Sequence, residues 1–231
     1  MNFLQKTCAG CLAALSFWFV GCTQMPENRP EPSAPSPPDR AEELQVAQSN
    51  NPDTVAWLTV PGTDIDGPVQ QAPDNDYYMR RDELGKPSYE GCFFADYECN
   101  FSSSDAISPN TIIYGHTFTR LGQDPNIGFG QLSSFTDSAF VSKHPTLYLT
   151  LPDRALTFEI LSAGYADAAA DQVCIKAYPT SREWNDIYTL TQTRSELDLP
   201  VDFKAGDRLL TLSTCTSDNE TRLLIVAVLK E

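Results

Sequence analysis

The chain has 231 residues, room for one ordinary domain and an extension. Its 31 acidic residues outnumber 16 basic ones, for a net charge of −15, and no lysine–arginine cluster is present to meet a phosphate backbone, so nucleic-acid binding is excluded. At 41% hydrophobic and 10% aromatic residues, the chain still carries enough apolar material for a real core.

The first segment, residues 1–24, stands apart from that core. Lys6 precedes an apolar run from Cys8 to Val20 that ends in Gly21-Cys22. A bilayer-spanning helix needs about 20 apolar residues, so this shorter run reads as an export signal. Its end, Phe19-Val20-Gly21-Cys22, resembles a lipoprotein cleavage box with Cys22 as the lipidated residue, although Phe19 stands where leucine is usual. The segment is therefore either a lipoprotein signal or an uncleaved anchor, and both readings export the domain behind it. Cys8 and Cys11 form a C-x-x-C, but inside this segment and not on the folded frame that a redox site needs. Residues 25–40 (MPENRPEPSAPSPPDR) are proline-rich and poor in apolar side chains, which predicts an extended, disordered spacer.

The folded domain is expected over residues 41–231, opening with a short helix in AEELQVAQSN. From Thr54 onward the chain reads mainly as strands. Thr111–Tyr114 is one. In Thr146–Leu151 the alternation sets Leu147, Leu149 and Leu151 on one face, as a half-buried strand requires. The turn Pro152-Asp153-Arg154 joins it to a partner strand over Leu156–Ala163. Arg208–Thr214 and Arg222–Lys230 are further strands, the last nearly continuous in apolar residues. Two interruptions read as helical: Phe129, Leu132, Phe135 and Phe140 recur at helical spacing, and Thr180-Ser-Arg-Glu183 is a capping box ahead of Trp184, Ile187, Tyr188 and Leu190. Many strands with few helices predict a closed barrel, which leaves no open sheet edge.

Cys92 and Cys99 either pair or serve as small buried hydrophobes; the second reading is favoured. Two histidines, His116 and His144, and no close cysteine pair outside the export segment give no zinc spacing, and no EF-hand-like loop is present. No metal ligand and no cofactor is therefore expected.

Chemistry concentrates in three places: Tyr114-Gly115-His116, Thr211-Leu-Ser-Thr-Cys215, and Arg222. One strand ends at Cys215, a polar loop turns the chain, and the next starts at Arg222. If the two form a hairpin, thiol and guanidinium share a rim, and His116, just past another strand, is in a position to reach it. A thiolate is a nucleophile that nearby positive charge favours. A histidine within reach donates a proton to a leaving amine. Arginine, always charged and rich in donors, suits the oxyanion of a tetrahedral intermediate. Each residue also has an ordinary reading: buried filler for the cysteine, a hydrogen-bonded group for the histidine, an edge-strand charge for the arginine.

Taken together, Ile-Ile-Tyr-Gly-His116, Thr-Leu-Ser-Thr-Cys215 and Arg222 resemble the sortases, and among them class B. The likeness runs through most of residues 50–231. Asn51–Trp57, Pro61–Asp66, Pro68–Gln70 and Asp74–Tyr78 resemble that class's opening strands, and Gly128-Phe-Gly130 its segment after the histidine. The stretch between Gly164 and Arg208 resembles the helix-bearing loop before the cysteine strand. The resemblance implies a mainly β fold, a closed eight-stranded β-barrel with an N-terminal helix. It implies a monomer, tethered to the outer face of a cell membrane, that cuts the C-terminal sorting signal of exported proteins through a thioacyl-enzyme. An amine then resolves that intermediate, either from the cell-wall peptide precursor or from a pilin. His116, Cys215 and Arg222 become catalytic residues. Asn75, Met79, Tyr114 and Ser213 match positions that line the peptide groove, while Tyr188 and Ile187 on the helical loop align only loosely. The match does not place Thr216. Calcium is not expected.

Two other readings remain. A papain-like protease carries its cysteine before its histidine, the reverse of the order here, and lacks support for that reason. A wall-associated lipoprotein scaffold that keeps the fold without catalysis is disfavoured by the intact trio.

Overall fold

The structure is a computed structural model that describes residues 36–117, 127–215 and 220–230, with Cys215 given by its backbone. The export segment with Cys8, Cys11 and Cys22, the proline-rich stretch as far as residue 35, and Thr216 lie outside the described residues. Among the described residues, no helix is long and apolar enough to cross a membrane.

Helix α1 (Ala41–Asn50) begins where the sequence predicts it, with Glu42 and Glu43 in the first turn, where the helix N-terminus favours negative charge. Just before it, Arg40 meets Asp66 at 2.6 Å. The same carboxylate accepts from Trp57 Nε1 at 2.7 Å and Thr59 Oγ1 at 2.8 Å. One acid therefore ties the last spacer residue to the first two strands.

Eight strands make up the sheet: β1 (Thr54–Thr59), β2 (Asp66–Gln70), β3 (Phe93–Ala95), β4 (Asn110–Tyr114), β5 (Thr146–Thr150), β6 (Ala155–Asp167), β7 (Leu209–Cys215) and β8 (Thr221–Leu229). They close into a barrel in the order β1-β2-β3-β4-β7-β8-β6-β5. Most neighbours are antiparallel, but β2–β3 and β4–β7 are parallel. The barrel is filled by Leu58, Ile112, Leu149, Phe158, Leu210 and Ile225, all fully buried.

Differences from the sequence reading have local causes. Only part of the opening region is strand. Pro61–Ile65 is a turn; Gly62 there has φ 82°, and a Cβ on it would sit 2.7 Å from the His144 ring, so the position takes glycine on both counts. Asp74–Tyr78 is not a strand either. The Asp74 carboxylate accepts from the backbone N–H groups of Asp76 and Tyr77, at 2.9 and 2.8 Å, and so starts a 3-10 turn over Tyr77–Arg80. The phenylalanine-rich segment splits into a 3-10 stretch, Gly130–Thr136, and one turn of helix, α2 (Ser138–Val141). The alternation in β5 predicts half-burial, yet all five of its residues are buried, Tyr148 among them.

The continuous apolar run of β8 is explained by a second layer. Helix α3 (Ser181–Arg194) covers the outside of the sheet, and Trp184, Ile187 and Phe203 form a separate cluster with Leu224, Val226 and Val228. A strand buried on both faces carries no polar alternation. The predicted capping box is formed: Thr180 N–H donates to Glu183 Oε2 at 2.7 Å, and Glu183 N–H donates back to Thr180 Oγ1 at 3.4 Å. Below that cap, the buried Asn110 amide donates to the carbonyls of Cys174 (3.1 Å) and Lys176 (3.2 Å) and accepts from Thr211 Oγ1 at 2.8 Å. This stitch fixes the start of the helical loop to the β4–β7 pair.

Candidate active site

The parallel pairing of β4 with β7 sets the geometry of the site. Its register runs from Asn110 opposite Leu209 to Tyr114 opposite Ser213, and the Gly115 N–H donates to the Ser213 carbonyl at 3.3 Å. Parallel neighbours run out at the same rim. His116 and Cys215 each lie two residues past that last pair. On the other side of β7, Cys215 is directly opposite Arg222 in the antiparallel register with β8. The expected hairpin is thus formed, and His116, about a hundred residues upstream, is brought to the same end of the barrel as Cys215 and Arg222.

His116 is fixed from several directions. Its Nε2–H donates to the Met79 carbonyl at 2.8 Å, and an Arg80 guanidinium nitrogen lies 3.4 Å from the same ring nitrogen. Arg80 is held in turn by the Tyr89 carbonyl (3.0 Å) and by the Tyr89 ring, 5.1 Å below its guanidinium. On the backbone side, the His116 carbonyl accepts from Phe129 N–H at 2.7 Å. Gly128 (φ +59) turns the chain there, and a Cβ on it would lie 2.3 Å from that carbonyl oxygen. Gly91 (φ +65) backs the imidazole from the other side, where a Cβ would come within 3.0 Å of Cδ2. Burial lowers the basicity of the ring below its ordinary value; the Met79 carbonyl opposes this and the Arg80 charge adds to it. The second histidine, His144, is elsewhere, against Phe140 with ring centres 4.8 Å apart.

A cavity of about 200 Å³ opens beside these residues. Asn75, Met79, Tyr114, His116, Ser213 and Arg222 all line it, and the Cys215 side chain lies outside the described residues. Ser213 is fully buried, and its hydroxyl has no hydrogen-bond partner among the described residues. Tyr188 and Ile187 do not line the cavity. Ile187 is packed in the cluster under α3, and the Tyr188 hydroxyl donates to the Val201 carbonyl at 3.2 Å. The helical loop instead contributes Ile175, held there by the Asn110 stitch.

Sequence reasoning missed Asp96. This carboxylate is buried just past β3 and accepts from the Tyr114 hydroxyl (2.9 Å), Asn75 Nδ2 (2.8 Å) and the Glu98 N–H (2.9 Å). Asn75 is locked further by Tyr97 N–H, which donates to its Oδ1 at 3.0 Å. Burial, reinforced by the neighbouring Asp96 carboxylate, pushes the Tyr114 phenol well above its usual range. Two wall residues thus hang on one acid. The signal available in the sequence was the acid ending the apolar run Phe93-Phe94-Ala95.

The remaining described thiols are poor nucleophiles. Cys92, Cys99 and Cys174 are free, so the first two do not pair, and burial pushes each of the three up to about 12. Cys99 is part of the core, its sulfur 3.3 Å from the Ile112 N–H. Among the described residues no group of three or more potential metal ligands is assembled.

A closed eight-stranded barrel, with a histidine and a cysteine at the ends of adjacent parallel strands and an arginine opposite the cysteine, is an arrangement that suits a cysteine acyl-transfer enzyme. No protein-family model matches the chain. Among curated proteins it is similar to sortase B of Listeria monocytogenes, 29% identical over 180 residues covering 78% of this chain and 69% of that protein. Sortase B of Clostridium perfringens superposes with a TM-score of 0.69 at 28% identity, covering 81% of this chain and 99% of that one. A Staphylococcus aureus sortase B–substrate complex has the same fold, with a TM-score of 0.71 at 23% identity over 83% of this chain and 86% of that one. The likeness in sequence and fold is to sortases of class B, and it supports a cysteine transpeptidase.

Proposed function

We propose that this enzyme cuts a C-terminal sorting signal of exported proteins and transfers the new carboxyl terminus to an amine of the cell-wall peptide precursor. The sorting-signal peptide lies in the cavity walled by Asn75, Met79, Tyr114 and Ser213. The Cys215 thiolate attacks the carbonyl of the scissile bond, and Arg222, opposite it across the β7–β8 register, supplies positive charge to the oxyanion. His116 gives a proton to the departing amine, leaving a thioester on Cys215. In the second half the acceptor amine attacks that thioester. A C–N bond forms, the C–S bond breaks, the amine proton passes to His116 and the sulfur leaves as thiolate.

The observation that carries this reading is the register itself: Tyr114 opposite Ser213 and Cys215 opposite Arg222 bring the three reactive positions to one cavity rim. The likeness to a sortase B solved with its substrate supports the sorting-signal class. The same reading puts the domain on the outer face of a membrane, held by residues 1–24 through a lipid on Cys22 or as an uncleaved anchor.

Incubation with a sorting-signal peptide, with and without an amine acceptor, tests the reaction. An amide product that appears only with the amine is expected. Hydrolysis alone in both arms would make the enzyme a protease, and no turnover in either would remove the proposal. A product chain linked through a protein lysine, with wall precursor unused, would replace the wall acceptor by a pilin. Labelling with a lipid precursor, lost in Cys22→Ser, identifies the lipoprotein form.

A further inference from the structure

Strand β3 ends in Phe93-Phe94-Ala95, and the next residue is a buried acid. A buried charge needs its hydrogen bonds supplied, and Asp96 draws on two residues of the peptide cavity for them. Its Oδ2 accepts from the Tyr114 hydroxyl at 2.9 Å and from Asn75 Nδ2 at 2.8 Å. The surrounding backbone leaves the acid no freedom to turn. Its Oδ1 accepts from Glu98 N–H, its own N–H donates to the Ile112 carbonyl at 3.0 Å, and its carbonyl accepts from Gln71 Nε2 at 2.9 Å.

A carboxylate accepts and does not donate, so it dictates the direction of both bonds to the cavity wall. The phenol has a single proton, and Asp96 holds it; burial and the same charge oppose its loss. Toward the cavity, Tyr114 therefore has only the lone pairs of its oxygen to offer. Asn75 is settled in the opposite sense. With Nδ2 turned to Asp96 and Oδ1 to Tyr97 N–H, its amide cannot flip, and one Nδ2–H remains unspent. Both side chains line the cavity and are only half-buried. Among the described residues, no other group takes that Asn75 hydrogen or donates to the Tyr114 oxygen. Because the two bond the same carboxylate oxygen, acceptor and donor are neighbours.

We propose that Asp96 is a positioning residue for peptide recognition: it fixes the Tyr114 oxygen as acceptor and the Asn75 amide as donor, and the pair reads the N–H and C=O of one extended residue of the sorting signal. In extended backbone these two groups of a residue point the same way, as in the bonded pairs of an antiparallel sheet. The inference rests on the transpeptidase reading above and deepens it by naming what orients the cavity wall. A neutral amide at position 96 cannot do the same. With one acceptor atom and one NH₂ it bonds Tyr114 in either direction, and a phenol that accepts from it turns its own proton toward the cavity.

The test uses the full chain and a Thr–Gly-containing sorting peptide. A series of analogues replaces one backbone N–H at a time, outside the scissile bond, by an ester oxygen. Thioacyl-enzyme formation is followed by mass spectrometry over a range of peptide concentrations. In the unaltered enzyme, one ester position should lower kcat/KM about three- to tenfold, almost all of it in KM, for the loss of one hydrogen bond. In Asp96→Asn the same analogue should match the parent peptide within about twofold. A merely structural role changes how much enzyme is folded, which slows both peptides alike and leaves their ratio where it was. If Asp96→Asn does not fold, Tyr114→Phe carries the test, since it removes the acceptor and should abolish the penalty at the same position. A penalty that persists undiminished in either variant overturns the positioning role, as does an unaltered enzyme indifferent to every ester. Failure of the unaltered enzyme to form a thioacyl intermediate with any of these peptides would instead bring down the transpeptidase reading, and this inference with it.

Discussion

Replacing Asp96 by asparagine keeps the side chain's shape and removes the charge on which Tyr114 and Asn75 depend. The carboxylate accepts three hydrogen bonds, two on Oδ2 and one on Oδ1. An amide offers one acceptor atom. If its oxygen faces Tyr114 and Asn75, its NH₂ confronts the Glu98 N–H; if it faces Glu98, its NH₂ confronts the Asn75 amide. Asn75 cannot turn over to relieve this, because its own oxygen accepts from Tyr97 N–H. One buried donor is thus stranded, at about 1–3 kcal/mol, and the surviving bonds lose charge assistance worth about 1 kcal/mol more. The expected loss is about 2–4 kcal/mol. With a urea m-value of about 2 kcal/mol/M, the unfolding midpoint should fall by about 1–2 M at unchanged slope. Tyr114→Phe should be non-additive with Asp96→Asn, since the first removes a bond that the second has already weakened. The Tyr114 phenol of the Asp96→Asn enzyme should also ionise at lower pH, read by its ultraviolet absorbance, because one cause of its upward displacement is gone. A midpoint that barely moves, together with additive effects, would refute the account of Asp96 as the acid that holds the cavity wall.

Arg222→Met should lower kcat about a hundred- to a thousand-fold with little change in KM, the pattern of an interaction made in the transition state, whereas a raised KM at near-normal kcat would make Arg222 a peptide-holding residue only. Cys215→Ala should abolish the thioacyl intermediate on mass spectrometry, while Cys92→Ala and Cys174→Ala, whose thiols are pushed up to about 12, should retain it. His116 should titrate below the ordinary histidine value by NMR, and Arg80→Met should move it upward; no shift on removing Arg80 would exclude that charge as a cause. A ring whose folded basicity is depressed gives its full contribution to stability above the unfolded value near 6.5, and loses it as pH falls through the lower folded value. Gly128→Ala should unfold readily and lose activity, since its Cβ would lie 2.3 Å from the His116 carbonyl oxygen, whereas Gly206→Ala meets nothing within 4 Å and costs only its strained φ, about 1–2 kcal/mol by urea unfolding.

What the sequence made legible was whatever depends on near neighbours. The Thr180–Glu183 cap, the apolar run of β8, the hairpin that sets Cys215 opposite Arg222, and the start of α1 all arise from spacings of a few residues. The groove residues Asn75, Met79, Tyr114 and Ser213 come from family likeness, and the structure brings them to one cavity. Three features resisted because their causes are distant or compete locally. Asp74 diverts a strand-like stretch by bonding its own backbone. Strand β5 is buried on a face that its alternation marks as outward. Asp96 acquires its meaning only when β4 brings Tyr114 against it.

The parallel pairing of β4 with β7 has a consequence for how this protein comes into being. Strand β4 cannot find its partner until some hundred further residues have been made, since Asn110 is matched with Leu209. Loop closure over such a span is costly in chain entropy, and contacts of this separation form late and slowly. Strand β8, which completes the sheet between β7 and β6, is later still. A growing chain that has reached β6 therefore holds His116 beside an unfilled sheet edge, with Cys215 not yet made. Cys215 arrives on β7 and Arg222 on β8, the two strands that together fill that gap, so assembly of the site and completion of the barrel coincide. A chain that stops short of these strands has no Cys215 thiol to acylate.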